Sequence, residues 1–390
     1  MSLCIIHINL IAQKNQTCIL TRSVIIILKA KGKIFINTEV NMKNELSSSA
    51  KKVLNDPELI AICDDWFKRL NLLFGGKDDS KTVFAIAGID CYMVDKTFMY
   101  SEPERYVIQC LEYLAENAGK AGNTDVFVPL CIHNDLFGVH FIDSIFGCNV
   151  YYEHGQWYND PLQIKIGTLK PPDIDNSEAW QLTVRMIDAF LSADVKLPIY
   201  GLPTIASALV VAVNLFGENI LAAMLDEAEA AKHDLKIIND TLKELHIRLM
   251  NLIPQNQLQP VIPSQRIQPP GFGQLCGCTS QLISPECYIE MIMPLDDELL
   301  GIYPHGGMMH LCGKHDHHIP AFKTMPNLRS VQLNDRAAES LKNYYEGLRP
   351  DQIIYLNTDK NMTPQKALEI TNGKRLVLIG DHTLMKMKQI

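Results

Sequence analysis

Four short apolar runs follow one another in the last third of the sequence: GMMHLCG (307–313), LRSVQLND (328–335), QIIYLNT (352–358) and RLVLIGD (375–381). Each has the length of a buried β-strand. Helical stretches separate them, namely HIPAFKTM (318–325), RAAESLKNYYEG (336–347) and TPQKALEITNG (363–373). Strands that alternate with helices at this spacing predict βα units and a parallel sheet. Four such units in a chain of 390 residues favour an α/β fold of the (β/α)₈ TIM barrel type.

The sequence upstream of these runs supplies further predicted elements. Apolar residues recur every three or four positions through 47–74, and Gly75-Gly76 ends that helix. The other predicted elements are helices at 103–119 and 217–250 and strands at VFVPL (126–130) and KLPIYGL (196–202). The expected architecture is therefore a barrel with N-terminal helices. Residues 254–277 carry five prolines and no periodicity, which predicts either a long loop over the active face or an irregular strand entry.

The charge is unevenly distributed along the chain. Residues 1–41 hold five basic residues and one acidic residue, a net +4, whereas the whole chain carries −8, which leaves −12 on the other 349 residues. An acidic body argues against a nucleic-acid surface, because phosphate binding needs clustered Lys and Arg. We expect residues 1–41 to be an upstream extension or a poorly ordered tail, and residues 42–390 to form the barrel.

Cysteine usage and hydrophobicity predict the compartment. The chain has eleven cysteines, an odd number spread from Cys4 to Cys312, which is unlike the paired framework of a small secreted protein. No apolar run approaches the roughly 20 residues that span a bilayer. We therefore expect a cytoplasmic enzyme that acts on a small molecule and has neither a membrane nor a nucleic acid as partner.

The strongest chemical signal is His310-Leu311-Cys312-Gly313. Residues i and i+2 of a strand face the same side, so His310 and Cys312 would present a nitrogen and a sulfur together, as a pair of zinc ligands does. They also fall at the carboxyl end of a predicted barrel strand, where barrel enzymes keep their chemistry. The alternative is a buried apolar cysteine beside a hydrogen-bonded core histidine. Cys276-Gly277-Cys278 either supplies another thiolate or lies on a glycine-rich loop without metal, and we expect the loop.

Several segments carry a family resemblance: GMMHLCGKHDHHIPAFKTMPNLRSVQLND (307–335), TSQLISPECYIEMIMPLDDELL (279–300), the Gly-Leu-Pro strand end and long helix of 201–242, and residues 128–157. In order and spacing they resemble the uroporphyrinogen decarboxylase (URO-D) superfamily over roughly residues 95–385. The nearest branch contains the cobalamin-dependent methyltransferases with a His-x-Cys-Gly motif. The resemblance implies a (β/α)₈ barrel, a bound zinc ion and a methyl-corrinoid protein as donor.

The resemblance also implies which residues bind the metal. His310 and Cys312 match the family's zinc pair, and Asp335 stands near its carboxylate, although Gln332 or Asn334 is an alternative counterpart. The cysteine of the family's last strand is missing here. Asp381 or His382 would have to replace it, and both residue types bind zinc.

The rest of the predicted site contacts substrate. His315 follows the strand of His310 and Cys312, where it either lines the barrel mouth or belongs to a solvated polar loop. Asn134 and Asp135 follow another predicted strand, where they either contact substrate or cap a helix. The predicted activity is zinc-dependent methyl transfer to a thiol or similar acceptor. The alternatives are porphyrinogen decarboxylation, for which the arginine-rich loop is absent, and a non-catalytic barrel that binds a small molecule or a corrinoid protein.

Overall fold

The computed structural model describes the backbone of strands 3–10, 21–30 and 33–38 and then residues 45–78, 82–88, 94–122, 125–132, 134–197, 200–201, 205–254, 256–259 and 266–380. The chain divides into two compact units, Met1–Leu46 and Ser47–Ile390. In the first unit β1 (Leu3–Leu10), β2 (Thr21–Ala30) and β3 (Lys33–Thr38) form an antiparallel sheet in that order. The predicted boundary between residues 41 and 42 lies outside the described residues and stays a prediction.

The second unit contains the elements that carry the site. Its strands are β4 (Phe84–Ala87), β5 (Val150–Glu153), β6 (Gln156–Asn159), β7 (Tyr200–Gly201), β8 (Leu258–Gln259), β9 (Gly273–Cys276), β10 (Gly307–Cys312), β11 (Leu328–Asn334), β12 (Ile353–Asn357) and β13 (Leu376–Gly380). Its α-helices are α1 (Ser48–Leu54), α2 (Pro57–Phe74), α3 (Phe98–Ser101), α4 (Pro103–Asn117), α5 (Phe141–Ile145), α6 (Glu178–Ser192), α7 (Ala208–Phe216), α8 (Asn219–Asp226), α9 (Ala228–Leu252), α10 (Pro285–Cys287), α11 (Met293–Leu300), α12 (Ile319–Thr324), α13 (Arg336–Glu339), α14 (Leu341–Gly347) and α15 (Pro364–Thr371). A single π-helical turn, Tyr288–Ile292, joins α10 to α11.

Six strands form one parallel sheet in the order β4-β13-β12-β11-β10-β9. The predicted mixed α/β class and the four predicted strands of the last third are confirmed by β10 to β13. Three isolated parallel bridges lie beyond this sheet: Ile86↔Phe127, Ile132↔Tyr200 and Ala206↔Cys276. They join β4 to Phe127, Ile132 to β7 and Ala206 to β9.

One face of the parallel sheet packs against helix α2. Alternate strand residues such as Phe84, Met308 and Tyr355 share a buried apolar cluster with Trp66 and Phe74 of that helix. Because side chains alternate along a strand, the residues two and four positions after Met308 lie on the same face, towards the carboxyl end. On β10 the apolar cluster therefore ends at Met308 and leaves positions 310 and 312 to polar side chains.

Two long helices predicted from periodicity are interrupted. The predicted helix 47–74 is divided at Asp56, whose carboxylate accepts from the backbone N–H of Glu58 and caps a new helix that starts at Pro57. The predicted helix 217–250 is divided at Glu227, where α8 ends and α9 begins. In both places the apolar spacing continues across the break, so periodicity alone does not reveal it.

Gly273, the first residue of β9, gives a test of the fold. A Cβ atom at this position would lie 2.0 Å from Cδ2 of the Tyr303 ring. Tyr303 is buried, and its hydroxyl is 2.6 Å from Nδ1 of His246, so the ring cannot swing aside without losing that hydrogen bond. We expect Gly273→Ala to lower the free energy of unfolding by about 3 kcal/mol, the upper range for overpacking a core.

Urea denaturation would measure this effect, with Gly119→Ala as the matched control because nothing lies within 4 Å of a Cβ built at Gly119. Equal unfolding free energies for the two variants would contradict the packing of β9 against Tyr303.

Among the described residues no single helix is both long and apolar enough to cross a bilayer. In the part of the chain that the structure describes, one pair of helices, α7 and α8, reaches that length and composition together, and a bend of 111° separates them.

Candidate metal centre

His310 and Cys312 lie together at the carboxyl end of β10. The two residues stand two positions apart on the strand, so their side chains share the face that carries Met308. Cys312 Sγ is 3.0 Å from His310 Nε2. His310 is 5% exposed, so its ring is held by the protein and not by solvent. Gly313 follows with a φ of +81°, a conformation that favours glycine, and it ends the strand directly after the pair.

The neighbouring strand β9 adds two more sulfur atoms. In the parallel register Cys276 pairs with His310, which places both side chains on the same face. Cys278 follows after one residue, and its Sγ lies 3.4 Å from that of Cys276. The ligand atoms of Cys276, Cys278 and His310 all lie within 4.8 Å of one another. The thiol at the end of β9, the thiol in the turn after it and the imidazole of β10 therefore converge on one point.

Gly277 permits this close approach. A Cβ atom at that position would lie 2.9 Å from Sδ of Met309 on β10, closer than such atoms pack. The Gly277 N–H donates to the carbonyl of His310 at 2.9 Å. This bond extends the hydrogen bonding between β9 and β10 by one residue beyond the end of β9. The backbone N–H of Cys312 also donates to Sγ of Cys278 at 3.2 Å. These contacts fix the Cys-Gly-Cys turn against β10.

The sulfur atoms influence one another's ionisation. The pKa of Cys276 is lowered to about 6, first by its hydrogen bond with Cys278 and then by the nearby His310. The pKa of Cys312 is also lowered, by hydrogen bonds with Cys278 and His310, while the pKa of Cys278 is raised well above its ordinary value because its proton is shared with both neighbours. The cluster thus favours two thiolates near neutral pH, the form of cysteine that binds metal.

The donor set fits a zinc ion. Thiolate and imidazole ligands in a tetrahedral arrangement suit zinc better than magnesium or calcium, which prefer oxygen. Cys276, Cys278 and His310 can act as three ligands. Cys312 is hydrogen-bonded to His310 and Cys278 but does not belong to that group of three, so it is a candidate fourth donor.

Strand β11 supports both members of the β10 pair. His310 pairs with Gln332 and Cys312 with Asn334 in the register of β10 and β11. His310 Nδ1 is hydrogen-bonded to Oε1 of Gln332, and Asn334 Nδ2 donates to Cys312 Sγ at 3.6 Å. Gln332 and Asn334, the alternatives that the sequence left open for the family carboxylate, are the β11 side chains that reach the pair.

Asp335 is placed differently from its predicted role. Its side chain is 65% exposed, and its carboxylate lies 3.9 Å from Arg336 at the start of α13. It is one residue beyond Asn334, so the alternation of the strand does not direct it at Cys312. Asp381 and His382, the other predicted ligands, lie outside the described residues.

Both ring nitrogens of His315 have hydrogen-bond partners next to the cysteine cluster. Nε2 is 2.7 Å from the carbonyl of Cys312, and Nδ1 is 3.2 Å from Oγ of Ser280. Burial lowers its pKa, as it also lowers the pKa of His318 to about 4. His318 Nε2 lies 2.8 Å from the carbonyl of Ser280, so the two histidines tie the segment after Cys278 to the segment after β10.

Asn134 and Asp135 have partners within the protein. Asn134 is buried, accepts from the N–H of Leu136 at 3.1 Å and donates to Oγ1 of Thr183 at 3.3 Å. Asp135 forms an ion pair with Lys96. The predicted contacts of Asn134, Asp135 and His315 with substrate stay predictions.

The prediction that Cys276 and Cys278 belong to a glycine-rich loop without metal is wrong in its geometry. Cys276 is the last residue of β9, and both sulfurs lie beside His310. The sequence spacing already indicated a second pair of metal ligands, since Cys276 and Cys278 stand two residues apart as His310 and Cys312 do. Five prolines and several glycines in 254–277 obscured the short strand.

No family model and no curated protein matches the sequence. Among solved structures, the chain is similar to a methyltransferase from Methanosarcina mazei, with a TM-score of 0.56 and 11% sequence identity over 81% of this chain and 92% of that one. At this identity the likeness concerns the fold alone.

Proposed function

We propose that the chain is an enzyme of the uroporphyrinogen decarboxylase superfamily, from its methyltransferase-like branch, and that it moves a methyl group from a methyl-corrinoid protein to a thiol. The observation that carries the proposal is the convergence of Cys276, Cys278 and His310 at one end of the parallel sheet. The fold shared with a methyltransferase supports it. The superfamily assignment rests on the sequence segments that resemble it.

We further propose that the second unit closes as a (β/α)₈ barrel. The six-stranded sheet and the bridges at Ile86, Ile132 and Ala206 support this, because a ring would then have eight positions: β4, 127–132, 200–201 with 205–206, and β9 to β13. In such a barrel the carboxyl ends of the strands carry the chemistry. The end of β9 and the end of β10 are the positions of the sulfur and imidazole donors.

In this proposal Cys276, Cys278 and His310 hold a zinc ion. A zinc ion lowers the pKa of a bound thiol and so supplies a thiolate at neutral pH. Catalytic zinc sites have three protein ligands and one position for substrate. Cys312, whose Sγ is 3.0 Å from His310 Nε2, is the side chain that would border that position.

The reaction itself is a methyl transfer between two substrates. The acceptor thiol loses its proton, its sulfur forms a bond to the methyl carbon, and the carbon–cobalt bond of the donor breaks with its electron pair left on the corrinoid. The protein's part is to hold the acceptor sulfur deprotonated and to place it. Asn334, which donates to Cys312, helps to fix the side chain that borders the acceptor position.

Zinc-loaded protein mixed with methylcobalamin and a panel of anionic and uncharged small thiols tests the proposal. We expect zinc-dependent loss of the methylcobalamin absorbance and formation of a methyl thioether, with the rate reduced at least about a hundredfold in His310→Ala. Methyl transfer that is independent of zinc would contradict the proposal. Decarboxylation of a porphyrinogen without zinc would favour the first alternative, and zinc binding without turnover of either substrate would favour a non-catalytic barrel.

A further inference from the structure

The two nitrogens of the His310 ring face different partners. Nε2 points to the sulfur cluster, 3.0 Å from Cys312 Sγ, whereas Nδ1 is hydrogen-bonded to Gln332 Oε1. Gln332 is 2% exposed, so water does not compete for this bond. A histidine that offers one nitrogen to a metal needs its proton on the other, and the partner of that other nitrogen decides the tautomer.

The position of Gln332 follows from strand register. His310 of β10 pairs with Gln332 of β11, which pairs in turn with Tyr355 of β12. Residues paired in a parallel sheet face the same side, so the Gln332 amide lies next to the His310 ring and within reach of the next polar residue on β12. That residue is Asn357, two positions after Tyr355.

Asn357 orients the Gln332 amide. Gln332 Nε2 donates to Asn357 Oδ1 at 2.5 Å. With the NH₂ group turned to Asn357, only Oε1 of Gln332 is left for His310, and an amide oxygen can accept but not donate. Nδ1 of His310 must therefore carry a proton in order to bond this oxygen.

We propose that Gln332, oriented by Asn357, is a positioning residue that holds His310 as the Nδ1–H tautomer and directs Nε2 to the metal. The inference rests on the proposed function for the identity of the bound metal. The hydrogen-bond chain from Asn357 through Gln332 to His310 is a property of the protein itself and is measurable without metal.

The test uses the full chain with ¹⁵N-labelled histidine and two variants, Gln332→Leu and Gln332→Glu. In metal-free wild type at alkaline pH, we expect the His310 resonances of the Nδ1–H tautomer, and we expect Gln332→Leu to lose that preference while Gln332→Glu keeps it. Cobalt(II) titration should show affinity reduced about 10- to 100-fold in Gln332→Leu and retained in Gln332→Glu. Ser330→Ala, which removes another buried polar group from the same face of β11, is the matched control and should change neither reading.

A wild-type His310 in the Nε2–H form, or a tautomer unchanged in Gln332→Leu, would overturn the inference. An altered tautomer with unchanged cobalt affinity would overturn the link to the metal. If wild type binds no cobalt at all, the proposed function fails as well, and the tautomer reading still decides whether the hydrogen-bond chain exists.

Discussion

Replacing Cys276 and Cys278 together by serine is expected to weaken zinc binding by more than about a hundredfold, because two of the three convergent donors lose their sulfur. Cys312→Ser should weaken binding by only about tenfold, since Cys312 lies outside the three-atom group. Serine keeps the size of the side chain, and competition with a chromophoric chelator measures the affinity. The ranking of these variants separates a three-ligand site from one built mainly on the His310–Cys312 pair.

Cys287→Ser is the matched control for this series. Cys287 is a free, partly buried cysteine on α10, outside the group of convergent ligand atoms. It should bind zinc as wild type does. A larger effect of Cys312→Ser than of the double variant would show that β9 does not supply the main ligands, and equal circular dichroism of all variants would show that each retains the fold.

Asp296→Asn is expected to change the dependence of stability on pH. Asp296 is 1% exposed on α11, its Oδ2 accepts from the Tyr288 hydroxyl at 3.0 Å, and its Oδ1 is buried without a hydrogen-bond partner. Burial raises its pKa from 3.8 to about 7. The folded state therefore favours the neutral acid, as a carboxyl group with an unsatisfied oxygen in an apolar site should.

Proton linkage gives the direction in which the free energy of unfolding changes with pH. Below pH 3.8 the acid is protonated in both the folded and the unfolded chain, and it costs no stability. As the pH rises towards 7 the unfolded chain releases this proton more readily than the folded one, so the free energy of unfolding falls. The loss is complete above about pH 7, where the difference in pKa corresponds to at most about 4 kcal/mol.

Asparagine cannot ionise, so Asp296→Asn should escape this loss. Its buried amide NH₂ costs stability at every pH, and for that reason the prediction concerns the difference between two pH values. Relative to wild type, the variant should gain up to about 4 kcal/mol between pH 4 and pH 9 in urea denaturation. Asp188→Asn, at an exposed position of α6, is the control and should track wild type; parallel pH profiles for wild type and Asp296→Asn would contradict a buried neutral carboxyl.

The sequence predicted the strands whose residues are uniformly buried. β10 to β13 are short apolar runs separated by amphipathic helices, and that pattern has few other interpretations. β9 has only four residues, GQLC, and follows a segment with Pro269, Pro270 and Gly271. Its strand character comes from pairing with β10, a long-range contact that local periodicity does not record.

The candidate site was predictable in part for the same reason. The i, i+2 rule placed His310 and Cys312 together, and applied to β11 it would have favoured Gln332 and Asn334 over Asp335, which has the opposite parity. What required the structure was the register between strands. Cys276 meets His310 because β9 and β10 pair at those residues, and Gln332 meets His310 through the pairing of β10 with β11.

Zinc-edge X-ray absorption of the purified wild-type protein is the most direct measurement of the central claim, that the ends of β9 and β10 form a metal site. We expect one zinc per chain with one nitrogen neighbour at about 2.0–2.1 Å and two or three sulfur neighbours at about 2.3 Å. Protein that binds no zinc when zinc is added would contradict a metal site at the ends of β9 and β10. A bound zinc whose neighbours are oxygen and nitrogen, with at most one sulfur, would contradict it as well.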